Sequence, residues 1–292
     1  MDMVHNEYLW KAKDRTTIYG QCWQPDTEPV AIINLIHGLG EHSSRYEHWA
    51  TRFTEEGYAV VSIDYRGHGK SGGKKGHAAN YKKLMNDITL LNRKSAALFP
   101  EIPVILYGHS LGGNLAINYV MRNTTRKFAA LIVTSPWLKL ARKPPKIQIL
   151  AAKIIDRIFP SLTQSNGLSP KHLTHDEHVV KTYKDDPLVH NRISVHLFLE
   201  VNNAAKFALK SIYKINIPFL LMHGSKDKIT SHLASQIFVE NTSKKTTFKL
   251  WEGMFHELHN ETENDKVFRF IHHWLEEVIQ EKSTKMSNNG YF

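Results

Sequence analysis

Several classes of protein are excluded by what this sequence lacks. Among 292 residues there is one cysteine, Cys22, so no internal disulfide can form, which fits a reducing compartment. The opening MDMVHNEYLWKAKDR has no apolar run between a basic start and a cleavage site, so no secretory signal is read there. No apolar run approaches the roughly 20 residues of a spanning helix, and the expectation is a soluble, cytoplasmic chain. HExxH and CxxC spacings are missing, so no metal site is expected. Gly67-His68-Gly69 and Gly72-Gly73 lack the Gly-Lys-Ser/Thr of a phosphate loop, and no cofactor is expected. There is no internal repeat. Acidic residues are in deficit, 28 against 38 Lys and Arg, for a net charge of +10. Such a surplus suits nucleic acid or an anionic membrane. The cations are scattered, however, and no helix-turn-helix, zinc-finger or RNP-type signature occurs, so no nucleic-acid partner is expected.

What is present is a succession of short apolar runs separated by helical patterns. Tyr8–Ala12 and Thr17–Trp23 suggest an edge hairpin around Lys13-Asp14-Arg15. Val30–Ile36, Tyr58–Ile63, Val104–Tyr107, Ala129–Val133 and Pro218–Met222 are near-continuous apolar runs of the kind buried on both faces of a parallel sheet. Thr246–Trp251 is a last strand candidate. Helical patterns cover Arg45–Glu56, Tyr81–Phe99, Leu111–Arg122, Ser231–Glu240 and Asp265–Gln280. This alternation predicts an α/β fold: a mostly parallel sheet of about eight strands with helices on both faces. It fails from Pro136 to about Leu199, a proline-punctuated segment without a strand-like run, read as a helical insertion. The core is thereby split into 1–135 and 200–282, and 283–292 reads as a loose polar tail.

The chemistry centres on LYGHSLGGNL, 106–115. Gly108-His109-Ser110-Leu111-Gly112 follows a buried strand and opens a helix, the context of a nucleophile elbow, in which glycines keep Cβ atoms out of a crowded turn. A structural serine in a Gly-rich turn is the alternative. A serine hydroxyl needs a base, and the base an orienting acid. In this chain order the acid and base follow late strands. Asp227, in HGSKD after Pro218–Met222, is the candidate acid, with Asp185 and Asp186 as rivals inside the insertion. His256, after Thr246–Trp251, is the candidate base, with His259 as its rival among 18 histidines. Oxyanion donors are expected from the Leu111 N–H and from the Leu39 N–H in the loop His37-Gly38-Leu39-Gly40. A serine rather than an aspartate at the elbow disfavours attack by a carboxylate.

The sequence resembles the α/β-hydrolase superfamily, and within it the monoacylglycerol lipase and lysophospholipase-like serine hydrolases. The resemblance is carried, nearly end to end, by HGLGEHSSRYEHWA (37–50), DYRGHGKSGGKKGH (64–77), GHSLGG (108–113), TSPWL (134–138), YKDDPLVH (183–190), HGSKDKI (223–229) and EGMFHELHNE (252–261). It implies the α/β-hydrolase fold, Ser110, Asp227 and His256 as a triad, Leu39 and Leu111 as oxyanion donors, and Pro136 to about Leu199 as a cap. It also implies Arg45 and Tyr183 near a polar-head pocket. The family's glutamate four residues before that tyrosine is Val179 here, and Glu177 either stands in for it or is only exposed. The implied activity is hydrolysis of a single-chain acyl ester, foremost monoacylglycerol, with a lysophospholipase or a short-chain carboxylesterase as rivals. A binding or scaffold module on a hydrolase fold is the non-enzymatic alternative. Ile147–Phe159 places apolar residues near one face beside Lys and Arg, which suits either a cap helix lying on a lipid surface or one packed on the core. Oligomeric state is not legible.

Overall fold

The computed structural model describes residues 3–123, 128–211, 215–242 and 245–288, with side chains described as far as residue 280. Eight strands form one sheet: β1 (Val4–Lys11), β2 (Thr17–Gln24), β3 (Ala31–Ile36), β4 (Tyr58–Asp64), β5 (Val104–His109), β6 (Ala130–Thr134), β9 (Phe219–Gly224) and β10 (Thr246–Trp251). Their spatial order is β1-β2-β4-β3-β5-β6-β9-β10. The β1–β2 and β2–β4 pairs are antiparallel and every later pair is parallel.

The apolar runs explain the parallel pairing. Every residue of β3, β4, β5, β6 and β9 is buried, as parallel strands covered on both faces require. Alternation then sorts the side chains. Ile33 and Leu35 face one side, with α1 (Glu47–Glu55) and α8 (Asn264–Asn288) contributing Trp49, Phe53, Phe268 and Ile271. Ile32 and Ile36 face the other, against α2 (Tyr81–Leu98), α3 (Leu111–Arg122) and α7 (His232–Glu240). The parallel strands all end on one edge, and the loops that leave that edge build the site.

Between β6 and β9 the chain leaves the sheet. This excursion holds α4 (Lys146–Ile158), α5 (Glu177–Asp185) and α6 (Val195–Lys210), with β7 (Thr163–Ser165) and β8 (Arg192–Ser194) as a small antiparallel pair. The sequence reading missed β7 and β8 because three-residue strands are too short to show a period. It also ended the insertion at Leu199, inside α6. Ser194 caps that helix by accepting from Leu197 N–H, and no Gly or Pro interrupts it before Lys210. The sheet resumes only at Phe219. Likewise α8 runs to Asn288, past the expected Gln280 and into the segment read as a loose tail. Polarity does not stop a helix, and no Gly or Pro stands between Asn264 and Asn288 to do so. Residues 289–292 lie outside the described residues.

The excursion is tied to the sheet edge by backbone bonds. His190 N–H donates to Gly40 O at 2.8 Å, Ser194 N–H to Gly76 O at 2.8 Å and Glu257 N–H to Leu173 O at 2.7 Å. Among the described residues no helix is long and apolar enough to cross a membrane.

Candidate active site

The turn from β5 to α3 sets Ser110 in a strained conformation, φ 53° and ψ −114°, at the residue before the helix. Crowding dictates its glycines. A Cβ on Gly112 would stand 2.0 Å from Ile36 O, and one on Gly108 2.4 Å from Gly112 O. Backbone bonds hold the turn: Ser110 N–H donates to Thr134 O and Trp137 N–H to Ser110 O, each at 3.0 Å.

The three residues singled out from chain order meet here. Ser110 Oγ lies 2.9 Å from His256 Nε2, and His256 Nδ1 lies 2.7 Å from Asp227 Oδ2. The carboxylate fixes the tautomer: Nδ1–H donates to Asp227, which leaves the Nε2 lone pair to accept from the Ser110 hydroxyl. Asp227 is heavily bonded. Oδ1 accepts from Ile229 N–H at 2.7 Å and Thr230 N–H at 3.0 Å. Oδ2 also accepts from His223 Nε2 at 2.9 Å and Thr230 Oγ at 2.8 Å. Burial alone would raise this carboxyl, but the charge of His256 and the bonds from His223 and His256 hold it well below the ordinary carboxylate range. For His256 burial acts downward, yet the Asp227 charge outweighs it and raises the imidazole above its usual 6.5. Ser135, itself at φ 45°, donates from Oγ to His256 O at 2.7 Å and so pins the His256 backbone.

The rivals are occupied elsewhere. His259 is fully buried and stacked on Tyr46 at 4.5 Å, and burial pushes its imidazole down to about 3. Asp186 accepts from His42 Nε2 at 2.7 Å, and Asp185 ends α5.

Ser110 and His256 open into a cavity of about 320 Å³, walled by Trp137, Leu173, Ile193 and Phe198. Leu39 lines it from the loop after β3. Leu111 opens α3, whose unsatisfied N-terminal N–H groups and dipole favour negative charge beside Ser110. The Gly38 N–H is already bonded to the Glu41 carboxylate, and Tyr65 Oη donates to Gly38 O at 2.6 Å. Both bonds hold the loop that carries Leu39.

The residues expected near a polar head divide. Tyr183 lines the cavity. Arg45 does not; it is 8 % exposed, bidentate to Glu257 at 2.8 and 2.8 Å, bonded to Glu41 and stacked 4.7 Å above Tyr183. Two buried carboxylates claim the guanidinium that the motif suggested for substrate. Glu177 is exposed in the first turn of α5, outside the cavity lining. Sequence reasoning missed Glu41, Glu257, His223, Thr230 and Ser135. Glu257 follows His256 directly, and Thr230 stands one residue beyond Ile229, whose N–H makes the local Asx bond to Asp227. His223 and Ser135 carried no signal that a single sequence could expose.

Residues 27–263 match the hydrolase family described as serine aminopeptidase, S33. The chain belongs to that α/β-hydrolase family. Over 94 % of its length this hydrolase is 37 % identical to an uncharacterised abhydrolase domain-containing protein of Dictyostelium discoideum, and spans 30 % of that longer protein. It is 29 % identical to a monoacylglycerol lipase of Mycolicibacterium smegmatis, over 93 % of this chain and 97 % of that one. The crystal structure of Paleococcus ferrophilus monoacylglycerol lipase superposes with a TM-score of 0.79 at 31 % identity, covering 96 % of this chain and 99 % of that one. This hydrolase is a serine ester hydrolase of the monoacylglycerol lipase-like group.

Proposed function

We propose that this hydrolase cleaves single-chain acyl esters, foremost a monoacylglycerol to fatty acid and glycerol, through Ser110, His256 and Asp227. The single observation that carries the reading is the unbroken line of bonds from Ser110 Oγ through His256 to Asp227 at the floor of an apolar-walled cavity. Relatives named as monoacylglycerol lipases support the substrate.

In the acylation half, His256 Nε2 takes the Ser110 proton as Oγ attacks the acyl carbonyl. Asp227 keeps Nδ1 protonated and stabilises the imidazolium. The Leu39 and Leu111 N–H groups receive the developing oxyanion, already oriented before reaction. His256 then protonates the departing glycerol oxygen. Water, deprotonated by the same nitrogen, attacks the acyl-enzyme and releases the fatty acid. The excursion over the sheet edge acts as a cap that shields the acyl-enzyme.

The exposed face of α4 extends the proposal. No residue of α4 is buried, and Ile147, Leu150, Ile154 and Ile158 are 75, 58, 56 and 63 % exposed. With Lys146, Lys153 and Arg157 beside them, they form a basic amphipathic face that suits peripheral contact with a lipid surface. The decisive test is fatty-acid release from a long-chain monoacylglycerol, with lysophosphatidylcholine and a short p-nitrophenyl ester in parallel. Ser110→Ala should lower turnover by a factor of about 10³ or more. Equal turnover by the variant would overturn the triad, and turnover of the short ester alone would overturn the lipase assignment.

A further inference from the structure

Asp227 serves two imidazoles, and only one of them faces the cavity. His256 and His223 bond to the same oxygen, Oδ2, at 2.7 and 2.9 Å, with Thr230 Oγ as a third donor at 2.8 Å. His223 precedes Gly224 at the end of β9, four residues ahead of Asp227. It is fully buried and forms no part of the cavity wall. Its other nitrogen, Nδ1, lies 2.8 Å from Ser235 Oγ on α7. The result is a line of five side chains, Ser235–His223–Asp227–His256–Ser110, centred on one carboxylate. This seating needs Gly224, because a Cβ there would stand 2.1 Å from Phe255 O in the loop that carries His256.

The protons along this line follow from what each group can do. An ionised carboxylate only accepts, so His223 Nε2 carries hydrogen and donates. A neutral ring then offers a lone pair at Nδ1, which the Ser235 hydroxyl satisfies. Burial, helped by the neighbouring His256 and His232, acts against a proton on His223; Asp227 acts for one, and burial prevails. The second imidazole is therefore a neutral donor rather than a second cation. Burial lowers His256 as well, but there Asp227, with Glu257 and Glu41 behind it, prevails over burial and over the nearby His109 and His259 rings.

We propose that His223 is a positioning residue of this hydrolase: its neutral Nε2–H holds Asp227 Oδ2 against His256 Nδ1 and limits how tightly that carboxylate retains the His256 proton. This rests on the triad reading above and adds the residue that tunes its acid. Beside neutral His256 the buried carboxylate is an uncompensated charge; beside the imidazolium it is half of an ion pair. A donor bond stabilises the first state more than the second. The His223 bond therefore favours neutral His256, the form that accepts the Ser110 proton.

The test reads the acid limb of kcat/KM for a short p-nitrophenyl ester in wild type, H223L, H223Q and S110A. Leucine removes the donor, and the limb should rise by about half a pH unit to one pH unit. That is opposite to the fall expected when the Asp227 charge is lost, so a merely disordered site does not imitate it. Glutamine places an amide N–H within reach of Asp227 and should bring the limb back towards the wild-type value. In the wild type, imidazole nitrogen NMR should show His223 neutral and protonated at Nε2 while His256 titrates, a reading that needs no variant to fold. A limb that stays or falls in H223L, no recovery in H223Q, or a His223 that titrates with His256 each overturns the inference while turnover still depends on Ser110. Unchanged turnover in S110A overturns the triad reading instead.

Discussion

Replacing Arg45 by methionine separates a structural cation from a substrate contact. The guanidinium joins Glu257, through two 2.8 Å bonds, to Glu41, and all three side chains are buried. Methionine keeps much of the stem's packing and removes the charge. Glu257 then retains the Asn260 Nδ2 donor at 2.7 Å, and Glu41 retains Gly38 N–H and Tyr46 Oη, but no cation offsets either. Breaking a buried pair from one side costs about 3–5 kcal/mol, a large share of the stability of an ordinary domain. Burial favours a raised carboxyl for Glu257, and in the intact protein the charge and bonds of Arg45 hold it below the ordinary range. Its contribution to wild-type stability is therefore present above the unfolded value of about 4.3 and lost as pH falls through the lower folded value. In R45M burial is unopposed, so the folded value lies above the unfolded one and the variant gains relative stability on acidification. Urea unfolding at pH 7 and pH 5 should show a large deficit at the higher pH and a smaller one at the lower. R45M/E257L, which removes both charges, should recover part of the loss. A loss below about 1 kcal/mol, together with a raised KM, would refute this account and return Arg45 to the substrate.

Other outcomes follow from the same site. His256 must be neutral to act as base and its imidazole is raised above 6.5, so the acid limb of kcat/KM should lie above that value; Asp227→Ala should move the limb down, and an unmoved limb would assign it to another group. Burial is the main influence acting against that rise, and the Asp227 charge outweighs it. Gly112→Ala places a methyl 2.0 Å from Ile36 O at the elbow and should destabilise the fold by several kcal/mol in urea unfolding, with wild-type stability as the contrary result. Ile154→Glu/Ile158→Glu, on the exposed face of α4, should weaken flotation with anionic vesicles while far-UV circular dichroism stays unchanged; undiminished flotation would place lipid contact elsewhere.

The sheet was legible because its strands are buried on both faces. Runs such as AIINLI and YAVVSI have no polar alternation, so their type and their mostly parallel arrangement followed from composition and from the helical patterns between them. The meeting of Ser110, Asp227 and His256 was legible for the same reason, since each follows a strand of one parallel sheet and so emerges at one edge. The excursion was legible as a helical insertion, but not its small strands or its end. Its strands are too short to show a period, and its helix α6 begins at a serine cap that reads equally well as loop.

The charged residues were the hardest to place, and Arg45 shows why. Its motif fixes its distance from the sheet edge but not its direction, and direction depends on which carboxylate lies nearest. Glu257 is 212 residues away in sequence and reaches Arg45 only because the loops after β3 and β10 close on the same edge. Once there, a bidentate bond between buried groups outcompetes any neutral hydroxyl a substrate could offer. A cation satisfied in this way inside the protein supports the fold and is not free to choose what enters the cavity.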